Sequence, residues 1–567
     1  MCGIIAYSGP KDGTGIVVDG LKRLEYRGYD SWGVACRNGD SILLHKSAGK
    51  IGQVDRDRDM ADLTGTPSIG HVRWATHGAV SDANAHPHLS PDGRIALVHN
   101  GIVENFQELR RERAELGVEF ASDTDTEVIA HVVAEELKSG KDILEAVRGA
   151  LAKLEGSYAV AILDRQTGTL IGARKWSPLV VGVGDGEHFI ASDAPAFLAH
   201  TRDVIFLDDF QMVRIDDDGN GGRSLSIHSV ESGEEVEPEV QRIEWSLEQA
   251  ERGGYPHFTI KEINEQPEVI DRVLATDDEE LEAAAKLIRE ARRVHLVACG
   301  TALHAGMYAS YLLASRAGMD ARPISAGEFP YLASMVQPGD LVLSISQSGE
   351  TADVLASVRE AKARGAKVLS VVNVLGSSLM RESDVSILSK AGPEISVVST
   401  KAYASQLSVL TLLSAAVAGD IPSARASLAK ARDDISQILS SGIEEKLEEI
   451  ARILTTAPCI YSIGRRVDYA SALEWCLKIK EIAYLHGEGF AAGDLKHGPL
   501  ALIEEGIPVF VIASDEAVFP ETLSNAIEAK SRGALIIAVA TEDNDVFDYH
   551  LPVEPNGPQG AISAIVY

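Results

Sequence analysis

Cysteine stands second in the chain, followed by glycine, in the opening Met1-Cys2-Gly3-Ile4. A small residue there allows Met1 to be removed, and Cys2 would then carry both a thiol and a free α-amine. The amine titrates near pH 8 and the thiol near about 8.5, so the amine is matched to serve as the thiol's base, as in N-terminal nucleophile chemistry. Taken alone, a cysteine after the start methionine is ordinarily just a small residue. Three further stretches supply what such a nucleophile needs. Residues 70–78 (GHVRWATHG) gather Arg73, Trp74, Thr76 and His77 in one short loop. His99-Asn100-Gly101 follows an apolar strand, and an Asn amide beside a Gly backbone N–H makes an oxyanion hole. Residues 122–127 (SDTDTE) open a helix with Asp125 in its first turn, where ordinary capping also places acids.

The other half offers different chemistry. An apolar strand over 341–345 runs into Ser346-Gln347-Ser348-Gly349-Glu350-Thr351, which starts a helix. Hydroxyls and a Gly turn at a helix N-terminus form an anion cradle; the same pattern also suits a Ser-rich cap. The Walker A lysine is missing, which argues against a nucleoside triphosphate. Farther on, Lys478 precedes Glu481 by one helical turn on the same face, the spacing of a routine ion pair. His497 sits in a loop, where an isolated histidine is normally a surface residue.

These groups need elements to hold them. Residues 2–238 are rich in short strand signals (2–7, 41–45, 95–99, 158–164 and 188–192) punctuated by Gly, Asp and Asn. Two helical stretches, 104–116 and 126–137, interrupt them, giving an α+β pattern of mostly antiparallel strands. The chain turns polar over 215–238, which predicts a hairpin or loop, then a linker to about 252. From residue 255 long helices alternate with Val/Ile/Leu-rich strands, the βαβ signature of parallel sheets. This half is duplicated. Residues 360–366 (EAKARGA) recur 168 positions on as 528–534 (EAKSRGA), and the strand from Val294 before Cys299-Gly300 matches the one from Cys459 before Gly464, 165 positions on. Two tandem doubly wound α/β units follow, at 281–422 and 450–567, after a linker and lead-in helix at 239–280. At the place aligned with Ser346 the second copy has Ala513-Ser514-Asp515-Glu516, whose acids would repel phosphate; only the first copy is expected to bind an anion.

The chain is 567 residues with a net charge of −31, which disfavours nucleic acid and anionic membrane surfaces. Five cysteines (Cys2, Cys36, Cys299, Cys459, Cys476) form no CxxC pair or zinc-spaced cluster, so no metal is expected and a reducing, cytoplasmic compartment is. No signal peptide is read at the N-terminus. The longest uncharged run, 402–419, carries Ser405, Gln406, Ser408, Thr411 and Ser414 and reads as a buried helix, not a membrane span.

Taken together, residues 2–238 resemble the glutaminase domain of class II glutamine amidotransferases, an N-terminal nucleophile (αββα) fold. The resemblance rests on Cys2-Gly3-Ile4, residues 24–31 (LEYRGYDS), Arg73-Trp74-Ala75-Thr76-His77-Gly78, residues 84–88 (NAHPH), His99-Asn100-Gly101 and Asp125-Thr126-Glu127. It implies that Cys2 attacks the glutamine carboxamide and that Asn100 and Gly101 hold the oxyanion. Arg73 would hold the substrate carboxylate and Asp125 its ammonium, with Trp74 as a gate and Thr76 and His77 in the same loop. The second half resembles the paired sugar isomerase (SIS) domains of the glutamine–fructose-6-phosphate aminotransferase family. That likeness rests on residues 298–301 (ACGT), 346–351, 399–402 (STKA), 477–482 (LKIKEI) and 493–500 (GDLKHGPL). It implies that Thr301, Ser346, Gln347, Ser348, Thr351 and Ser399 bind the sugar phosphate. Glu481 would move a proton between C1 and C2, with Lys478 beside it and His497 opening the sugar ring from the neighbouring subunit of a homodimer. No cofactor is implied; the partners are glutamine and fructose 6-phosphate.

Two departures from the family pattern stand out. Ala302 replaces the usual serine, at a cost of about 1 kcal/mol in phosphate binding. No lysine follows Lys530, whereas the family forms a Schiff base through a lysine in a final tail; a chain that continues past Tyr567 is the expectation. If the lysine is truly lacking, the alternative is a glutaminase with a sugar-phosphate-sensing half that does not catalyse. Other class II amidotransferases are disfavoured by the absence of an SGGxDS loop, and a purely binding protein would leave Cys2 and its neighbours without a purpose.

Overall fold

The computed structural model describes residues 2–55, 59–217, 222–243 and 252–567. The chain forms two compact units, Met1–Glu251 and Arg252–Tyr567.

The first unit is built from two antiparallel sheets, one of eight strands and one of seven. Strand alternation explains how they stack. On strand Gly3–Ser8, Ile4 and Ala6 face one way and Ile5 and Tyr7 the other. On Ile95–Val103, Ala96 and Val98 join Ile4 and Ala6 in one core between the sheets. Ile95 and Leu97 instead pack under helices Glu127–Lys138 and Ile143–Leu151. Ile5 and Tyr7 pack under helix Gly13–Arg23 on the far side. The result is a four-layered helix–sheet–sheet–helix sandwich, the fold class the sequence implies.

Four local outcomes differ from the sequence reading. Helix Gly13–Arg23 carries three glycines and β-branched residues, so its propensity is poor. It forms because Asp12 caps it and because Gly20 has no Cβ: one there would lie 2.3 Å from the Ile5 side chain. Helix Ile143–Leu151 is short and is started by Asp142, whose carboxylate accepts the Glu145 N–H at 2.8 Å. The unit also runs past residue 238, because strand Gln241–Arg242 pairs with Asp203–Phe206. The lead-in to the second half is three helices, Phe258–Asn264, Gln266–Leu274 and Asp278–Glu290. The expected hairpin is present as Gln211–Asp217 paired with Arg223–Ser229; its tip, and much of the expected linker, lie outside the described residues.

The second unit holds two parallel five-stranded sheets. Their orders are 321–325, 294–298, 341–346, 367–372, 385–388 and 487–491, 460–464, 508–513, 535–540, 549–552. Each copy therefore follows the 2-1-3-4-5 doubly wound order, with its switch point between the first and third strands. Helix Lys401–Ala418, the long uncharged run, is buried along all but its last residue. Its hydroxyls bond back to carbonyls of the preceding turn, as Ser408 does to Ala404 at 2.7 Å. No helix among the described residues is long and apolar enough to cross a membrane.

Candidate active site

In the first unit the register that pairs Gly3 with Val72 sets Cys2 at the end of strand Ser68–Arg73. Cys2 Sγ accepts the Trp74 backbone N–H at 3.2 Å. Strand Ile95–Val103, from the other sheet, brings in Asn100, whose Nδ2 donates to the Cys2 carbonyl at 2.9 Å. Gly101 adopts φ +131°, and a Cβ there would lie 2.2 Å from the Ser157 carbonyl oxygen. Only glycine fits.

Arg73 and Asp125 are both buried and both act electrostatically on the thiol, the cation lowering its pKa and the anion raising it. Burial dominates and pushes the Cys2 thiol up, so it rests protonated. The Arg73 guanidinium donates to the carbonyls of His77, Gly78 and Ala79, which folds the following loop around it. Asp125 is fixed by the Val103 N–H at 2.9 Å. A cation and an anion both within electrostatic reach of a thiol suit a zwitterionic amino acid. Trp74 is 41% exposed and stands edge-on to Tyr29 at 5.2 Å. His77 lies 3.4 Å from the Thr76 hydroxyl and edge-on to Phe106.

Two residues that the motif reading passed over complete this site. Asp30 accepts the Ala75 N–H at 2.9 Å and shapes the loop after Arg73. His71 Nε2 lies 3.0 Å from Asn100 Oδ1 and 3.1 Å from the His99 carbonyl. Both neighbours are acceptors, so Nε2 carries the proton. Burial drives the His71 pKa down to about 3, which keeps the ring neutral. His71 thereby fixes which end of the Asn100 amide faces Cys2. His86 lies behind it with its ring tilted and centroids 4.2 Å apart, His88 stands edge-on to His86 at 4.8 Å, and burial lowers the pKa values of both and of His99 as well.

In the second unit the cradle follows strand Leu341–Ser346. Ser346 Oγ accepts the Gly349 N–H at 3.0 Å and lies 3.2 Å from the Thr351 hydroxyl; Ser348 Oγ accepts the Glu350 N–H at 3.2 Å. Gly349 sits at φ +67°, where a Cβ would collide with Ser377. Gln347 fixes the turn through its carbonyl, which accepts the Asn373 N–H at 3.1 Å. Thr301, at the first turn of helix Gly300–Ala317, does not aim its hydroxyl at the cradle. It donates to Glu474 at 2.9 Å and accepts from Lys478 at 3.0 Å.

Those two residues, and Glu481, belong to helix Val467–Ile482 of the second copy. Lys478 Nζ lies 2.6 Å from Glu481 and 3.1 Å from Glu474. Burial works to raise the pKa of Glu474, but His304 at 2.7 Å, Lys478 and Thr301 outweigh it and hold the carboxyl below its ordinary range. Sequence spacing offered Lys478 and Glu481; it passed over His304 and Glu474, which tie the helix to the first copy. Ala302 is packed into the core, and Ser399 donates its hydroxyl to Glu394 at 2.9 Å. His497 is exposed, and no hydrogen bond or ion pair joins it to Lys478 or Glu481.

The corresponding cleft of the second copy is filled from within. Asp468, fully buried, accepts the backbone N–H groups of Ser514 at 2.9 Å and Asp515 at 3.1 Å, as well as the Ser514 hydroxyl. These are the donors an anion would need there. Burial lifts Asp468 to about 6, and Arg466, held at φ +52°, lies 2.8 Å from Asp515.

Comparison with known proteins agrees with this division. A family model described as a glutamine amidotransferase domain matches residues 71–199, and one described as a SIS domain matches 287–416 and 453–551. The chain is 46% identical to the glutamine–fructose-6-phosphate aminotransferase (isomerizing) of Methanothermobacter thermautotrophicus, over 95% of this chain and 90% of that one. It is 44% identical to the protein of the same name from Thermococcus kodakarensis, over 96% of this chain and 91% of the other. Among solved structures, the C-terminal domain of glucosamine-fructose-6-phosphate aminotransferase from Francisella tularensis matches with a TM-score of 0.52 at 31% identity, covering 56% of this chain and 96% of that one. Over nearly its whole length, then, the chain belongs to the glutamine–fructose-6-phosphate aminotransferase (isomerizing) family.

Proposed function

We infer that this chain takes the amide nitrogen of glutamine and makes glucosamine 6-phosphate from fructose 6-phosphate. The observation that carries the reading is the Thr301 hydroxyl, which donates to Glu474 and accepts from Lys478 and so ties the copy that carries the Ser-rich cradle to the helix that carries Glu481. This bond supports a reading in which a phosphate site on one copy and a proton-transfer pair on the other serve one reaction.

In the glutaminase step the Cys2 sulfur bonds to the carboxamide carbon while Asn100 and Gly101 steady the oxyanion. The C–N bond breaks, the thiol proton leaves with ammonia, and water then cleaves the thioester to glutamate. The base is the α-amine exposed on removal of Met1. Arg73 and Asp125 hold the two charged ends of the amino acid, with Trp74, Thr76 and His77 closing over it. In the second step Ser346, Gln347, Ser348 and Thr351 hold the phosphate and Ser399 the sugar. Ammonia adds to C2 of the open-chain ketose and water leaves. Glu481, paired with Lys478 at 2.6 Å, moves a proton from C1 to C2. His497 reaches the site of a partner subunit and opens the ring, which makes the working unit a homodimer formed through the second half. The five free cysteines support a reducing, cytoplasmic setting for the reaction.

One incubation tests the reading: glutamine and fructose 6-phosphate together, with glutamate and glucosamine 6-phosphate quantified separately. Equal yields are expected. Glutamate without amino sugar would overturn the second step and leave a glutaminase. In the Cys2→Ala variant glutamine use should vanish, while added ammonium still supports amino sugar formation.

A further inference from the structure

The stretch that enters helix Glu127–Lys138 carries Asp125, and the first residue of that helix folds back over it. Glu127 is only 3% exposed. Its Oε1 accepts the Ala121 N–H at 2.8 Å, and its Oε2 accepts both the N–H and the hydroxyl of Ser122 at 2.7 Å. Two further side chains hold the same loop. Arg110 donates to the Ser122 carbonyl at 2.7 Å, and Asn84 Oδ1 accepts the Asp123 N–H at 2.9 Å. Beyond them the Asp125 carboxylate takes the Val103 N–H.

A backbone N–H can only donate, so both oxygens of Glu127 are acceptors. Burial works to raise its pKa, but His131 and these donors outweigh it and hold the carboxyl below its ordinary range. A glutamine side chain has the same size but one acceptor oxygen and one NH2 group. At position 127 it would meet one of the two N–H groups with another donor and leave it unpaired. The loop that Glu127 closes back to residues 121 and 122 spans Asp125. The charge of Asp125 acts on the Cys2 thiol, so its carboxylate is within electrostatic reach of an amino acid bound there.

We propose that Glu127 is a positioning residue: by pinning the N–H groups of Ala121 and Ser122 it sets the loop that presents Asp125 to the α-ammonium of the substrate amino acid. It acts through Asp125 and not on the reacting carboxamide. Glu127 therefore governs how well the site tells an α-amino acid from an amide that lacks the ammonium. This role rests on the assignment of Asp125 to the ammonium made above.

The test uses the full chain and two amides. Glutamine is the substrate, read by glutamate release. Glutaramate, which keeps the carboxylate and the carboxamide but has no ammonium, is the competitor, read by its inhibition constant. Glu127→Gln should raise the KM for glutamine about tenfold, with kcat within about twofold of the parent. The inhibition constant of glutaramate should stay within about twofold, because nothing on that molecule answers to Asp125. Ser122→Ala takes one hydroxyl from Glu127 and spares the backbone bonds. It should shift the KM for glutamine the same way by about threefold, again without moving glutaramate, and it answers should Glu127→Gln fail to fold. Equal losses for the two amides would mean that Glu127 serves the fold and not Asp125, and would overturn the proposal. An unchanged KM for glutamine, or a loss confined to kcat, would overturn it too. Asp125→Asn separates the two levels: if that variant keeps the parent's KM for glutamine, the assignment of Asp125 to the ammonium is what fails.

Discussion

Asn100 owes its orientation to a histidine that carries no charge. His71 gives its one N–H to Asn100 Oδ1 and so turns Nδ2 toward residue 2. Losing an oxyanion donor costs about 10²–10³ in kcat, and losing only the group that orients it should cost less. For His71→Ala we expect kcat for glutamine hydrolysis to fall about 10- to 100-fold with little change in KM, as read by glutamate release. A rise in KM with unchanged kcat would contradict this role. The histidines behind the site also predict an acid weakness. His71 and His88 are held near about 3, well below the ordinary 6.5, so the unfolded chain takes up their protons first as pH falls. Their contribution to stability is complete above about pH 6.5 and is lost between there and about pH 3; at pH 5 each costs on the order of 2 kcal/mol. The protection factors of strand Ser68–Arg73 should therefore fall between pH 7 and pH 5, once the intrinsic slowing of exchange over that range is corrected for. Residue types that announce chemistry, such as Cys2 or Arg73 beside Trp74, were legible from the sequence. His71 was not, although it lies in the same short stretch, because its partner is 29 positions away and only the stacking of two sheets brings them together.

Among the elements, strands with strong period-2 or continuous apolar patterns were legible, and so was the duplication. Helix Gly13–Arg23 was not, because burial against Ile5 overrides three glycines. Nor was the strand at Gln241–Arg242, two residues long and polar. The duplicated cradles give a sharper contrast. The sequence suggested that acids near Ser514 repel phosphate. The structure adds that Asp468 fills the cleft, reaching across from the neighbouring helix to the N–H groups of Ser514 and Asp515. Two equivalent substitutions should therefore behave differently. Ser346→Ala should raise the KM for fructose 6-phosphate about tenfold. Ser514→Ala should leave that KM unchanged but cost about 1–3 kcal/mol of stability by stripping a partner from a buried carboxylate. Steady-state kinetics and thermal unfolding together separate the two; a matching KM effect in both would contradict the difference between the copies.

At the scale of the whole molecule, the proposed homodimer makes a prediction about how two chains cooperate. His497 is exposed in its own chain and makes no bond to Glu481. If it serves a partner's site, chains with Glu481→Gln and chains with His497→Ala are each inactive, but an equal mixture that exchanges subunits recovers about a quarter of the parent activity, since half the dimers then hold one intact site. Recovery of none on mixing, with subunit exchange verified by mass spectrometry, would place His497 in its own chain's chemistry or outside it. With a net charge of −31, such dimers should associate more readily as salt is raised.

The bond from Thr301 to Glu474 has a consequence for descent. A tandem duplication begins with two equal parts, and either can be lost without harm while both remain complete. On the function proposed above, one part kept the cradle and the other supplied the lysine and glutamate, while its own cradle closed over Asp468. A recombinant made of two first copies would hold two anion sites and no proton-transfer pair. One made of two second copies would hold the pair and nowhere to seat a phosphate. On that reading specialisation makes the doubling irreversible: what began as a spare becomes the other half of a single site.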